Sequence, residues 1–246
     1  MLVGMSERVV VVEHEAHAGL GFFAEWLEDA GIEYEVVRPH RGEAVPSDPG
    51  AGLVVLGGSP SAWDDDGCAW LPDTRALIAG AVRSGVPTLG VCLGAQLMTI
   101  ACGGAVERGS NGLEIGLGSV ELLPEAADDR LFGPVAAAAA EPRAVQYHYD
   151  AMTALPPGAV RLATGSRYPN QAYRLGDSAW AVQFHPEATP EIFASWTAAG
   201  DLADHDVAEL DREVKEAEPA LRAAWRPLAE AFAGLVREHR EGRGRR

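Results

Sequence analysis

The sequence predicts an α/β protein: a mostly parallel open sheet with helices on both faces, then a β-rich second half and a helical C-terminal extension. Three observations carry that prediction. Short β-branched runs alternate with helix-period segments over the first hundred residues, strand candidates crowd together after Gly104, and helical periodicity returns after Pro190.

Residues 8–12 are a β-branched run and predict the first strand. A glycine-containing loop leads to residues 22–30, where Phe22, Phe23, Trp26 and Leu27 fall on one helical face. Residues 33–38 and 53–56 predict the second and third strands, and residues 72–84 a helix. Residues 88–91 predict a fourth strand that runs into a helix over 94–102. Shorter strands are predicted over 105–107, 119–123, 144–149, 160–164, 171–175 and 179–184, with the alanine run 136–140 as a loop or short helix. Ile192, Phe193 and Trp196 mark a further helix. After the acidic stretch 201–218, Pro219 predicts the start of a last helix carrying Leu221, Trp225, Leu228, Phe232 and Leu235. The closing REGRGRR predicts a disordered, solvated basic tail.

At 246 residues, 47% hydrophobic and 23% charged, the chain is long enough for one large domain plus an appendage, with the boundary expected at 200/201. A formal charge of −16, with Lys215 the single lysine, argues against nucleic-acid binding, because neutralising phosphates needs a basic surface. No run reaches the roughly 18–20 apolar residues of a membrane span, and the opening MLVGMSERVVVVEHE lacks the parts of a secretory signal, so a cytoplasmic protein without a membrane partner is expected. The three cysteines have no CxxC spacing, which predicts reduced thiols and no zinc cluster. No metal or other cofactor is expected.

One cysteine stands at a corner. In PTLGVCLGAQLM the strand ends at Cys92, with Gly90 and Gly94 two residues to either side, the spacing of a G-x-S-x-G elbow. Such a turn lifts the side chain to the carboxyl end of the sheet, and the helix N-terminus that follows favours the thiolate. The Leu93 N–H would then face an oxyanion forming on an attacked carbonyl. A nucleophilic thiol needs a base, and His185 ends the apolar strand in QFHPE. Pro186 restricts its backbone to extended conformations, and Glu187 can orient the imidazole, giving the catalytic set Cys92, His185 and Glu187.

GVCLGAQLM and VQFHPE together resemble the two signatures of the class I, or triad, glutamine amidotransferases. VVLGGSPSAWDDD resembles the family's strand-end glycine loop, and the resemblance spans roughly residues 9–196. It implies a flavodoxin-like class I amidotransferase fold for residues 1–200. It also implies that Cys92 attacks the amide carbon of glutamine, His185 protonates departing ammonia, and Glu187 positions His185. The family's second oxyanion donor maps onto the Gly58 N–H, and Gln96 onto a position that contacts bound glutamine. QYHYDAM and GLEIG resemble its substrate-binding strand and the segment before it, which places Tyr147 and His148 at the pocket. His148 is also a rival base, without a Pro-Glu behind it.

Other groupings have plainer readings. His14 and His17 form an HxxH without further ligands, Asp64, Asp65 and Asp66 form a solvated loop, and Cys68 and Cys102 pack. The resemblance is strongest to stand-alone members similar to the GMP synthase amidotransferase domain. The expected reaction is hydrolysis of glutamine or a γ-glutamyl amide to glutamate and ammonia. No GxxxxGK[ST] motif is present, and the residues after 196 are too few for an ATP-dependent synthase. The open alternatives are a free-standing hydrolase, a glutaminase subunit gated by a separate synthase or ligase, and a non-catalytic binding or regulatory module.

Overall fold

The computed structural model describes residues 7–139 and 141–244. In chain order the elements are β1 (Val9–Val12), α1 (Phe22–Asp29), β2 (Tyr34–Val37), β3 (Gly52–Val55), α2 (Leu71–Arg83), β4 (Thr88–Val91) and α3 (Leu93–Ala101). Then come β5 (Ala105–Arg108), β6 (Glu114–Ser119), β7 (Glu121–Leu122), α4 (Gly133–Ala138), β8 (Arg143–His148) and β9 (Asp150–Ala154). The chain closes with β10 (Val160–Thr164), β11 (Ala172–Leu175), β12 (Ala179–Val182), α5 (Pro190–Ala199) and α6 (Val207–Gly244).

Eight strands form the main sheet in the order β2-β1-β3-β4-β12-β11-β10-β7. The first five run parallel, and β11, β10 and β7 continue antiparallel. Alternation along the strands serves both faces. Val9, Val11, Val54 and Leu89 pack with α1 and α6, while Val10, Val12, Leu53 and Val55 pack with α2 and α3. Two small antiparallel pairs, β5–β9 and β6–β8, stand outside this sheet. In register, Glu114 on β6 faces His148 on β8. No helix among the described residues is long and apolar enough to cross a membrane.

The C-terminal part departs from the sequence reading. Pro219 does not start a helix; α6 begins at Val207 and carries Pro219 and Pro227 inside it. Each proline removes a backbone donor at a cost of about 3 kcal/mol in a helix interior. The buried stripe Val214, Leu221, Trp225, Leu228, Phe232 and Val236 offsets that cost, and it joins the same core as α1 and the sheet. Helix α6 therefore adds its buried stripe to the core that α1 and the sheet share. The expected disordered tail is helical through Gly244, where Arg240 pairs with Glu7 and Arg243 donates to the Gly50 carbonyl; residues 245–246 lie outside the described residues. Trp225 Nε1 also donates to the carbonyl of Arg143, the first residue of β8, at 2.8 Å.

Candidate active site

Cys92 sits between β4 and α3 with φ +50°, and it is the one non-glycine residue at positive φ among the described residues. A turn that tight needs bare backbone beside it. A Cβ at Gly94 would stand 2.0 Å from the Val55 carbonyl oxygen, and one at Gly90 would stand 2.7 Å from the Gly94 oxygen. The two glycines of the elbow are thus required by close approach of α3 to β3 and β4. Leu93 opens α3, so its N–H is one of the donors that a helix leaves without an internal partner.

His185 follows β12, and its N–H bonds the Val145 carbonyl of β8 at 2.8 Å, tying the two strand ends together. Its Nδ1 is 2.8 Å from Glu187 Oε1, and its ring lines the same cavity as Cys92. All three residues are buried. Burial alone disfavours a charged imidazole, but the Glu187 carboxylate and the Cys92 sulfur outweigh it and the His185 pKa is pushed up to about 10. A side chain at Gly57 would press on His185 Cε1 at 2.8 Å and Cys92 Cβ at 3.4 Å, so the glycine loop gives the sulfur and the ring room to meet.

A cavity of about 450 Å³ opens onto this corner. Cys92, Gly58, Gln96, Tyr147, His148 and His185 all line it. Glu187 lies behind His185, and Leu93 turns its side chain into the core. Gln96 Nε2 donates to the Asp150 carbonyl at 3.0 Å and reaches Gln183 Oε1 at 3.4 Å, while Gln183 Nε2 approaches the Cys92 sulfur at 3.8 Å. His148 is not placed as a base: Nδ1 meets the Asp150 carbonyl at 2.9 Å and Nε2 meets Glu114 Oε2 at 2.9 Å.

Several lining residues are not marked by the sequence as parts of a site. Trp196 on α5 lays its ring against His185, centroid to centroid 4.5 Å, and its Nε1 donates to the His17 carbonyl at 2.8 Å. Glu15 accepts from the Ser59 N–H and hydroxyl, and Arg108 lies over the Tyr149 ring. Gln183 and Glu114 lie inside the segments VQFHPE and GLEIG, where the motif itself could have marked them. The HxxH pair is split: His17 lines the cavity, whereas His14 is buried, accepts from Trp70 Nε1 and has its pKa lowered to about 3 by burial and by His40. Among the described residues no three His, Cys, Asp or Glu side chains are grouped to hold a metal ion.

Residues 23–197 match the family described as glutamine amidotransferase class-I. The chain belongs to that family. It is 33% identical over 210 residues to the glutamine amidotransferase-like protein YfeJ of Salmonella typhimurium, covering 82% of each chain. It is 28% identical over 218 residues to gamma-glutamyl peptidase 4 of Arabidopsis thaliana, covering 85% of each. Against a GMP synthase of Xanthomonas oryzae the identity is 29% over 184 residues, which is 67% of this chain but 33% of that one. The crystal structure of a glutamine amidotransferase from Thermotoga maritima superposes with a TM-score of 0.81 at 26% identity, covering 92% of this chain and 97% of that one. The mostly parallel eight-stranded sheet is the flavodoxin-like arrangement of these relatives.

Proposed function

We propose that the protein hydrolyses the side-chain amide of glutamine, or a γ-glutamyl amide, through a thioester on Cys92. The reading rests on one observation above all: His185 and Cys92 line the same buried corner of the cavity, with Nδ1 of the His185 ring committed to the Glu187 carboxylate. Nε2 is then the nitrogen that serves the sulfur and the leaving group.

In this mechanism the Cys92 thiolate adds to the amide carbon, and the carbonyl oxygen takes up the negative charge. The N–H groups of Leu93 and Gly58 receive that oxyanion. The carbon–nitrogen bond breaks as His185 gives its proton to the departing nitrogen, which leaves as ammonia or an amine. Water then adds to the thioester with His185 taking one of its protons, the carbon–sulfur bond breaks, and glutamate and the thiolate are released. Glu187 keeps the ring in register throughout. Gln96, Tyr147 and His148 line the wall that holds the amino-acid end of the substrate.

The protein is expected to gain one covalent equivalent at Cys92 from a glutamine-like electrophile, seen by mass spectrometry. Cys92→Ala should abolish glutamate release while keeping a cooperative melt; normal turnover by that variant would refute the assignment. Likeness to one third of a GMP synthase favours a second arrangement, in which a separate synthase or ligase receives the ammonia. Glutaminase assays of the isolated chain separate the two. Strong turnover without a partner marks a free-standing hydrolase, and near-silence with a reactive Cys92 marks a gated subunit.

A further inference from the structure

The mechanism above asks the Gly58 N–H to receive an oxyanion, yet Gly58 has no side chain to keep it in place. The chain leaves β3 through Leu56, whose N–H bonds the Val12 carbonyl at 3.0 Å and whose carbonyl accepts from the Gly94 N–H at 3.2 Å. Gly57 and Gly58 follow, two residues whose backbone is held only by what anchors its ends. The place itself is narrow. A Cβ at Gly58 would stand 2.9 Å from His14 Cβ and 3.3 Å from Leu93 Cδ2, which sets the peptide beside the first residue of α3.

The near anchor is the sheet, through Leu56. The far anchor is Ser59, and it is held from another part of the chain. Glu15, on the loop after β1, takes both Ser59 donors on one oxygen: Oε2 accepts the N–H at 3.1 Å and the hydroxyl at 2.5 Å. A backbone N–H can only donate, so the first of these bonds has one direction whatever the state of the acid. The other ties of the loop lie beyond Ser59. Ser61 Oγ donates to Asp150 Oδ2 at 2.8 Å, Arg75 Nη1 to the Ala62 carbonyl at 3.0 Å, and Trp63 Nε1 to the Val106 carbonyl at 2.9 Å. They fasten the outer loop to β9, α2 and β5 and leave the Gly58 peptide to Leu56 and Ser59.

We propose that Glu15 is a positioning residue for the oxyanion: by clamping Ser59 it aims the Gly58 N–H at the carbonyl that Cys92 attacks. The inference rests on the amidotransferase reading and deepens it. Glu15 lines the cavity, but the oxygen that Ser59 occupies is spent on the loop, and Glu15 makes and breaks no bond in the reaction. A donor aimed at charge that exists only in the transition state acts on kcat and not on substrate binding.

Glu15→Ala should therefore lower kcat for glutamine hydrolysis about 10- to 100-fold, with KM within about twofold of the wild type. Glu15→Gln, whose amide oxygen can accept the same two bonds, should bring kcat back to within about threefold. Alkylation of Cys92 by iodoacetamide is the internal control. There the sulfur displaces iodide from a saturated carbon and no oxyanion forms, so Glu15→Ala should react at the wild-type rate. A loss confined to KM, a Gln variant as poor as the Ala variant, or alkylation that falls in step with kcat would each overturn the proposal. Failure of the amidotransferase reading looks different: the wild type then releases no glutamate and takes no adduct from a glutamine-like electrophile. Where turnover is absent, amide hydrogen exchange still reads the clamp, and the Ser59 N–H should exchange at least about tenfold faster in Glu15→Ala than in the wild type or Glu15→Gln. Equal exchange rates in the three proteins overturn it.

Discussion

The two walls of the cavity are built in opposite ways. The nucleophile wall is made by one turn: Gly90, Cys92 and Gly94 lie within five residues, and backbone pressed against backbone leaves Cys92 a single place to be. The substrate wall is assembled from β5, β6, β8 and β9, whose members meet only through antiparallel pairing and side-chain hydrogen bonds. Under the proposed mechanism, local geometry fixes the reacting atom and long-range pairing fixes what is brought to it. Substitutions on the first wall should remove chemistry or the fold, whereas those on the second should change which substrate is accepted.

The sharpest test sets one histidine from each wall against the other. His185→Ala should lower kcat by about 10³-fold, the range for losing a positioned acid and base. His148→Ala should act mostly on KM, together with a stability loss of about 1–3 kcal/mol for leaving the half-buried Glu114 without its partner. A reversed ranking in steady-state kinetics would make His148 the base and erase the distinction between the walls. The next largest effect is on the elbow. Gly94→Ala forces a methyl to within 2.0 Å of the Val55 oxygen and should cost about 3 kcal/mol in denaturant unfolding. Gly80→Ala on α2 is the control: nothing lies within 4 Å of the added carbon, and a small gain of about 0.5–1 kcal/mol is expected.

The same difference governs what could be read before any coordinates. The corner was legible because its signals are adjacent in the chain: glycines two residues either side of Cys92, and Glu187 two residues after His185. The parallel strands were legible because short β-branched runs such as VVVV have nowhere to go but a buried sheet. By contrast, β6 carries Gly116 and Gly118, residues that weaken a strand signal, and its partner His148 lies 34 residues from Glu114. That pairing has no local signature. Helix α6 was misread at Pro219 for a related reason, since the contacts that let two prolines stand inside a helix come from α1, α4, α5 and the sheet. Trp196 was visible as one member of a helical apolar stripe, and its contact with His185 belongs to the packing of α5 and not to the stripe.

Trp196 gives the smallest and most specific way to sharpen the comparison, because it belongs to the nucleophile wall but comes from outside the elbow. Its ring packs on His185 at 4.5 Å with a tilt of 54°, and both residues are buried. An aromatic face beside a desolvated cation contributes about 0.5–2 kcal/mol, and one pH unit corresponds to 1.36 kcal/mol. The sign follows from the raised pKa of His185. The charged ring stabilises the fold fully below the unfolded value near 6.5, and that contribution is lost as pH rises toward about 10, where the proton donor for the leaving nitrogen is lost too. Trp196→Leu should therefore move the basic limb of kcat/KM down by about 0.5–1 pH unit, while Trp196→Phe should leave it near the wild-type position. Both variants lose the hydrogen bond to the His17 carbonyl, so a difference between them isolates the ring. Equal shifts in both would assign Trp196 to holding the 14–18 loop and leave the charge on His185 to Glu187 and Cys92 alone.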